Sequence, residues 1–241
     1  MKIADYIRRY RDNTTGILKA HERKQAMSLA VGGDFEGMGK LEYLHLQHLG
    51  MRPGHMLIDV GCGSGRLAYQ MRGTHGPGYL GLDVVPEMLD YAREICARPD
   101  WRFAQAPGLT LPVLDASADF VCFYSVLTHL LHEDSYRYLR DARRALKPDG
   151  RIVFSYLDFG VDAHWPAFEA ALARADTDAV TNQFISADAI NAWARHLDLK
   201  VHGIWRGDEE HFPLVAPVQF DSGAFATVGS IGQSICVMGL P

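Results

Sequence analysis

The densest chemistry in this chain lies in Asp59-Val60-Gly61-Cys62-Gly63-Ser64-Gly65-Arg66. Glycines at alternate positions tolerate positive φ and let a ligand approach the main chain closely. A helix predicted from Arg66 and Leu67 would aim free N–H groups and its positive end at that ligand. The spacing differs from the G-x-G-x-x-G of dinucleotide enzymes, because Arg66 stands where the third glycine belongs. Asp59, two residues ahead of Gly61, suits an amine, and the helix end suits a carboxylate. Asp83 follows 18 positions after Gly65. A carboxylate there, at a strand end, can accept two ribose hydroxyls. Val84, Val85 and Met88 offer an apolar wall for a base.

These residues need strands to hold them. Met56–Val60, Tyr79–Asp83, Trp101–Ala104, Asp119–Phe123 and Arg151–Tyr156 read as short, buried strands. Amphipathic helices separate them, one opened by Pro86 and one burying Tyr138, Leu139 and Ala142. The alternation predicts a largely parallel sheet covered on both faces. Lys147-Pro148-Asp149-Gly150 reads as a turn. Pro166 opens a helix with Phe168, Ala171, Leu172 and Ala175 on one side, and Ser186 caps another. Leu199–Trp205 and Gln233–Met238 read as the last strands. Upstream, Ile3, Tyr6, Ile7 and Tyr10 share one helical face, and Gly32, Gly33 and Gly37 mark a loop.

The segment Leu57–Arg66 resembles the D-x-G-x-G-x-G motif of class I methyltransferases, which use S-adenosylmethionine (SAM). Tyr79–Leu89 resembles their second motif, and Leu146–Arg151 resembles the turn into their fifth strand. The resemblance covers roughly residues 50–160. It implies a Rossmann-like α/β fold: a seven-stranded, mostly parallel sheet in the order 3-2-1-4-5-7-6, the last strand antiparallel, with helices on both faces. It also implies SAM as cofactor. Asp59, Gly61, Cys62, Gly63 and Gly65 would meet its amino-acid end, with Tyr124 and Ser125 beside the methionine part. Asp83 would hold the ribose. Val84, Met88, Gln105 and Ala106 would border the adenine. Family members often carry an acid after the third strand; here the aligned residue is Pro107, which leaves adenine to Gln105 or to main chain near Ala106.

Methyl transfer needs an aligned nucleophile, a dry site and, for a hydroxyl, a base. His129 is the first candidate base, since an imidazole titrates near neutral pH. Tyr124 and Asp158 are the other catalytic candidates. His132, His164 and His211 read as surface or loop residues. The acceptor is expected to be a small molecule with an oxygen or nitrogen nucleophile. The [DN]-P-P-Y tetrapeptide of adenine-N6 and protein-glutamine enzymes is absent, and no acidic pair follows the fifth strand, so no metal is expected. A nucleotide-binding oxidoreductase and a non-catalytic SAM-binding module are the alternatives.

Among the 241 residues, 24 Lys and Arg against 29 Asp and Glu leave a net charge of −5. That balance disfavours general nucleic-acid binding, which needs clustered cations. No apolar run approaches the ~20 residues that span a bilayer, and the first residues lack the apolar core of a secretory signal. Cys62, Cys96, Cys122 and Cys236 form no C-x-x-C pair, which fits a reducing cytoplasm. The expected partner is the acceptor, with no nucleic acid, no membrane and a homodimer left open. Residues 1–50 are expected to form a helical lid and residues 51–241 the SAM-binding domain, with a long insertion at about 207–231. Lid and insertion would cover the acceptor pocket, where Trp165, Trp205, Phe212 and Phe220 could lie.

Overall fold

The computed structural model describes residues 3–74, 78–175, 177 and 182–241, with side chains from Tyr6 onward. Three helices lead: α1 (Ile3–Ala20), α2 (Arg23–Ala30) and α3 (Phe35–His48). Then come β1 (Met56–Val60), α4 (Arg66–Met71), β2 (Gly78–Asp83), α5 (Pro86–Cys96), β3 (Arg102–Gln105), β4 (Ala118–Phe123), α6 (His132–Ala145) and β5 (Leu146–Tyr156). The last third holds α7 (Trp165–Leu172), α8 (Ala187–His196), β6 (Lys200–Trp205), the short strands β7 (Val218–Gln219) and β8 (Phe225–Ala226), and β9 (Ser234–Gly239).

The main sheet runs β3-β2-β1-β4-β5-β9-β6. The pairs from β3 through β5 are parallel, and β9 is antiparallel to both β5 and β6. This is the expected order, with β9 as the seventh strand. Successive strand residues face opposite sides of a sheet, so adjacent apolar residues feed different cores. Ile58, Val121 and Phe154 pack with Leu139 of α6 and Ile190 of α8. Leu57, Cys122 and Val153 pack with Leu46 of α3, Leu67 of α4 and Leu89 of α5. Burial on both faces explains why these strands show no polar alternation.

Several local expectations change. Gly37 lies inside α3, and a Cβ there would sit 2.3 Å from the ring of Phe220. Gly39 of the same helix runs against the main chain of Arg66, 2.4 Å from where a Cβ would be. Close packing, not a turn, selects glycine at both. Lys147–Gly150 belongs to β5 as an irregular stretch, where the register with β4 shifts between Ala118 and Phe120. Helix α7 buries none of its residues, and Leu172 is exposed. Residues 207–231 are not structureless: β7 pairs with β8, and Phe212 bridges to Gly229. Asp221 from this segment caps α3. Its carboxylate accepts N–H bonds from Phe35 (2.7 Å) and Glu36 (3.3 Å). The residue before α3, Asp34, makes no side-chain cap.

Candidate active site

Beyond the C-terminal end of β1 the chain turns through Gly61 (φ 71°) and Gly63 (φ 54°). The N–H groups of Gly61 and Cys62 donate to the Leu82 carbonyl at 2.7 and 3.0 Å, which fastens the loop to β2. Cβ atoms on Gly61 and Gly63 would lie 2.4 Å from Val126 and 2.5 Å from Val31. Only glycine meets both the left-handed backbone and the close approach. Gly65 has a different duty. It precedes α4 with φ 86° and packs against Ala92, and it lines neither of the two cavities over the loop.

Asp83, buried at the end of β2, accepts N–H bonds from Gly63 and Val85, each at 2.9 Å. Burial pushes its carboxyl up to about 6, against the pull of those N–H donors. A carboxylate has about four acceptor sites, so two remain for ribose hydroxyls. Asp59 accepts the Tyr79 phenol at 2.7 Å and the Cys122 thiol at 3.4 Å. Burial pushes it up to about 7; the Tyr79 bond lowers it and the charge of Glu42 raises it.

The leading helices are tied to this loop. Ser64 donates to the Met27 carbonyl at 2.8 Å, and Arg66 donates to the Val31 carbonyl at 2.8 Å. Arg66 also pairs with the carboxylate of Glu42, which is buried on α3. Burial raises the Glu42 pKa, and the Arg66 charge opposes that rise.

Two cavities meet over the loop. One, about 980 Å³, is lined by Asp59, Cys62 and Gly63 on the loop side, by Tyr124 and Thr128 after β4, and by His164 and Gln233 opposite. The other, about 90 Å³, is bounded by Asp83, Val84, Ala106 and Tyr6. Tyr10, Gly61, Ser125 and His129 line both. His129 lies near Tyr6 and Tyr10, with ring centroids 6.3 and 6.1 Å away. Its Nδ1 is buried with no hydrogen-bond partner. Burial pushes its pKa down to about 4, so the ring is neutral at pH 7.

Other expected residues stand elsewhere. Tyr124 lines the larger cavity, but its hydroxyl bonds His45 Nδ1 at 2.9 Å. Burial, then the nearby His211 and His48, push His45 down to about 3, so the phenol shares its hydrogen bond with a neutral ring. Asp158 lines neither cavity. It accepts the Gly160 N–H at 2.9 Å and so caps its own turn. Met88 is buried with Met27 and Val85, away from both cavities. Gln105 is exposed and bonds the Val84 carbonyl at 3.3 Å. The Ala106 N–H donates to the Asp83 main-chain carbonyl at 2.9 Å. Trp165, Trp205, Phe212 and Phe220 also line neither cavity. His164 and His211, expected at the surface or in loops, are both buried, His211 within a loop. The sequence reading missed Tyr10, Glu42, His164 and Gln233. The only signal for any of them was the helical face that contains Tyr10.

Residues 58–154, from β1 to β5, match the family model of a methyltransferase domain. Residues 58–154 belong to this methyltransferase-domain family, whose cofactor is SAM, and the whole sheet has the class I methyltransferase fold. An O-methyltransferase, resE, of Aspergillus sclerotiorum is 33% identical over 127 residues, covering 50% of this chain and 46% of that protein. The chain spans a little under half the length of that relative. In fold it is similar to the magnesium protoporphyrin IX methyltransferase of Synechocystis, solved with bound SAH (TM-score 0.62, 13% identity, 96% of each chain). It is likewise similar to the putative methyltransferase solved in complex with the Haloferax volcanii Trm112 activator (TM-score 0.61, 21% identity, 88% of this chain and 95% of that one). Among the described residues, no helix is long and apolar enough to cross a membrane.

Proposed function

We propose that the protein transfers a methyl group from SAM to an oxygen or nitrogen of a small molecule held in the 980 Å³ cavity. One observation carries this reading: Tyr10, Gly61, Ser125 and His129 line both cavities, so a slot beside Asp83 opens onto the larger space at an imidazole. SAM, when bound, supplies a methyl group on a sulfonium. The residues fit such a ligand, since one buried carboxylate, Asp83, borders the slot, another, Asp59, borders the larger cavity, and the buried His129 Nδ1 between them has no partner. Asp59 takes the amine; the N–H groups of Gly61, Cys62, Gly63 and Gly65 already have protein acceptors, so the carboxylate falls to the start of α4, where Arg66 and Leu67 line the cavity. Asp83 takes the ribose, and Val84 and Ala106 border the base. Tyr124 forms a wall beside the methionine part, its hydroxyl already engaged by His45.

His129 is the proton acceptor in this reading. Burial keeps it neutral and also makes it a weak base, which suits a proton that becomes acidic as the new bond forms. The O-methyltransferase among the relatives favours oxygen over nitrogen. Residues 1–50 act as the lid. A 90 Å³ slot is smaller than the ~300 Å³ of the smallest usual ligand pockets, so Tyr6 and Tyr10 of α1 draw back as the nucleoside enters. Four unpaired cysteines fit a cytoplasmic enzyme.

Labelled SAM offered with a panel of small hydroxyl and amine acceptors tests the activity. With any acceptor that turns over, His129→Ala is expected to lose on the order of 10²-fold in rate while SAM affinity holds. An unaltered rate removes His129 from catalysis. SAM binding with no turnover on any acceptor would favour a non-catalytic module.

A further inference from the structure

Ser125 follows β4 with φ 58°, a left-handed conformation in a residue that carries a Cβ. Such backbone persists only where its surroundings hold it, and here they form a closed ring. The Ser125 N–H donates to Ser155 Oγ at 2.7 Å. The Ser155 hydroxyl donates to Gln233 Oε1 at 2.7 Å. Gln233 Nε2 donates back to Ser125 Oγ at 3.2 Å. Thr128 adds a fourth tie, its hydroxyl donating to the Ser125 carbonyl at 3.0 Å.

Each link fixes the direction of the next. Ser155 accepts from main chain, so its own proton goes to Gln233. The amide oxygen is thereby used, so the amide nitrogen faces Ser125. Ser125 Oγ then accepts, and its hydroxyl proton is left to donate. Ser155 is fully buried on β5, and Gln233 directly precedes β9, which pairs with β5 through Ser234 and Tyr156. The antiparallel strand thus brings residue 233 to a turn more than a hundred residues earlier in the chain.

We propose that Gln233 is a positioning residue for the cofactor. Through Ser155 and Ser125 it locks the left-handed turn, and so sets the main chain and the hydroxyl that stand where the two cavities join. This rests on the proposed reading of that junction as the place where the methyl group is transferred. Gln233 also lines the acceptor side, so the state of that side bears on the grip on SAM.

A double-mutant cycle read by calorimetric titration of SAM tests it, with no acceptor required. Gln233→Ala is expected to weaken SAM binding about tenfold, and Ser155→Ala by a similar factor. Glycine takes φ 58° without strain, so in a Ser125→Gly background the same Gln233→Ala change should cost less than about threefold. Melting curves of each variant establish that it is folded. Equal losses in both backgrounds, or no loss in either, overturn the role of Gln233 while the site reading stands. Absence of SAM binding to the unaltered protein overturns the site reading and this inference with it.

Discussion

Asp59 and Asp83 stand on neighbouring strands, and both are buried, yet they respond differently. The main-chain N–H groups of Val85, Gly63 and Val84 favour the charged form of Asp83 and hold it to about 6. Asp59 has a phenol and a thiol instead, with Glu42 nearby, and rises to about 7. The carboxylate that would meet an ammonium therefore carries a proton below neutrality. A ligand that needs the charged form must expel that proton, so SAM affinity should fall as pH drops from 8 to 5.5. The fall should approach tenfold per unit below the Asp59 pKa. Calorimetry across that range checks it, and Asp59→Asn should bind weakly with a flatter profile above pH 6.5. Affinity that holds steady or improves in acid would contradict the assignment. Asp83→Ala should weaken SAM binding by ~1.5–3 kcal/mol, because two hydroxyls lose a charged acceptor. An unchanged dissociation constant would remove Asp83 from the ribose site. At this scale the glycine bend after β1 and the places of the two acids near the ends of β1 and β2 were legible, because each follows from local spacing. Asp158 was misread because a strand-end carboxylate looks the same in sequence whether it faces a cavity or caps its own turn.

Helix α3 shows how elements depend on distant chain. Its first N–H groups have no partner of their own, and Asp221 supplies one from the far end of the sequence. Asp221→Ala should lower stability by about 1 kcal/mol, the usual loss when a helix cap is removed. The urea midpoint should drop with an unchanged m-value, which separates lost stability from a change in compactness. A midpoint equal to that of the unaltered protein would mean that solvent caps the helix equally well. The same helix explains the misreading of Gly37. Glycine suggests a loop when only neighbours in sequence are weighed, but here it admits Phe220 from the segment that carries Asp221. The strands and the helices of the sheet region were legible because periodicity is local. The extension of β5 back to Leu146 was not, since it rests on the pairing of Leu146 with Ala118, across a register shift that no local pattern encodes.

Across the whole molecule, two cores sandwich the sheet, and all four cysteines fall inside them. Burial raises every one of these thiols, Cys96 up to about 12. The thiolate is the reactive form. A thiol reagent at pH 8 should therefore label Cys96, Cys122 and Cys236 of the folded protein only as fast as it opens, Cys62 at the cavity wall sooner, and all four in denaturant. A cysteine other than Cys62 that reacts at once in the folded state would show that its core is looser than described.

The order of strands and helices, the glycine loop and the two acids were set by the sequence alone, since each depends on residues within a few turns of one another. The sheet order decided the rest. It seats β1 between β2 and β4, and β9 beside β5, so Tyr10, Glu42, Ser155 and Gln233 converge on the loop from four distant parts of the chain. No local spacing encodes such meetings. They arise because strands far apart in sequence are neighbours in the sheet, which brings the segments that follow them together at one edge.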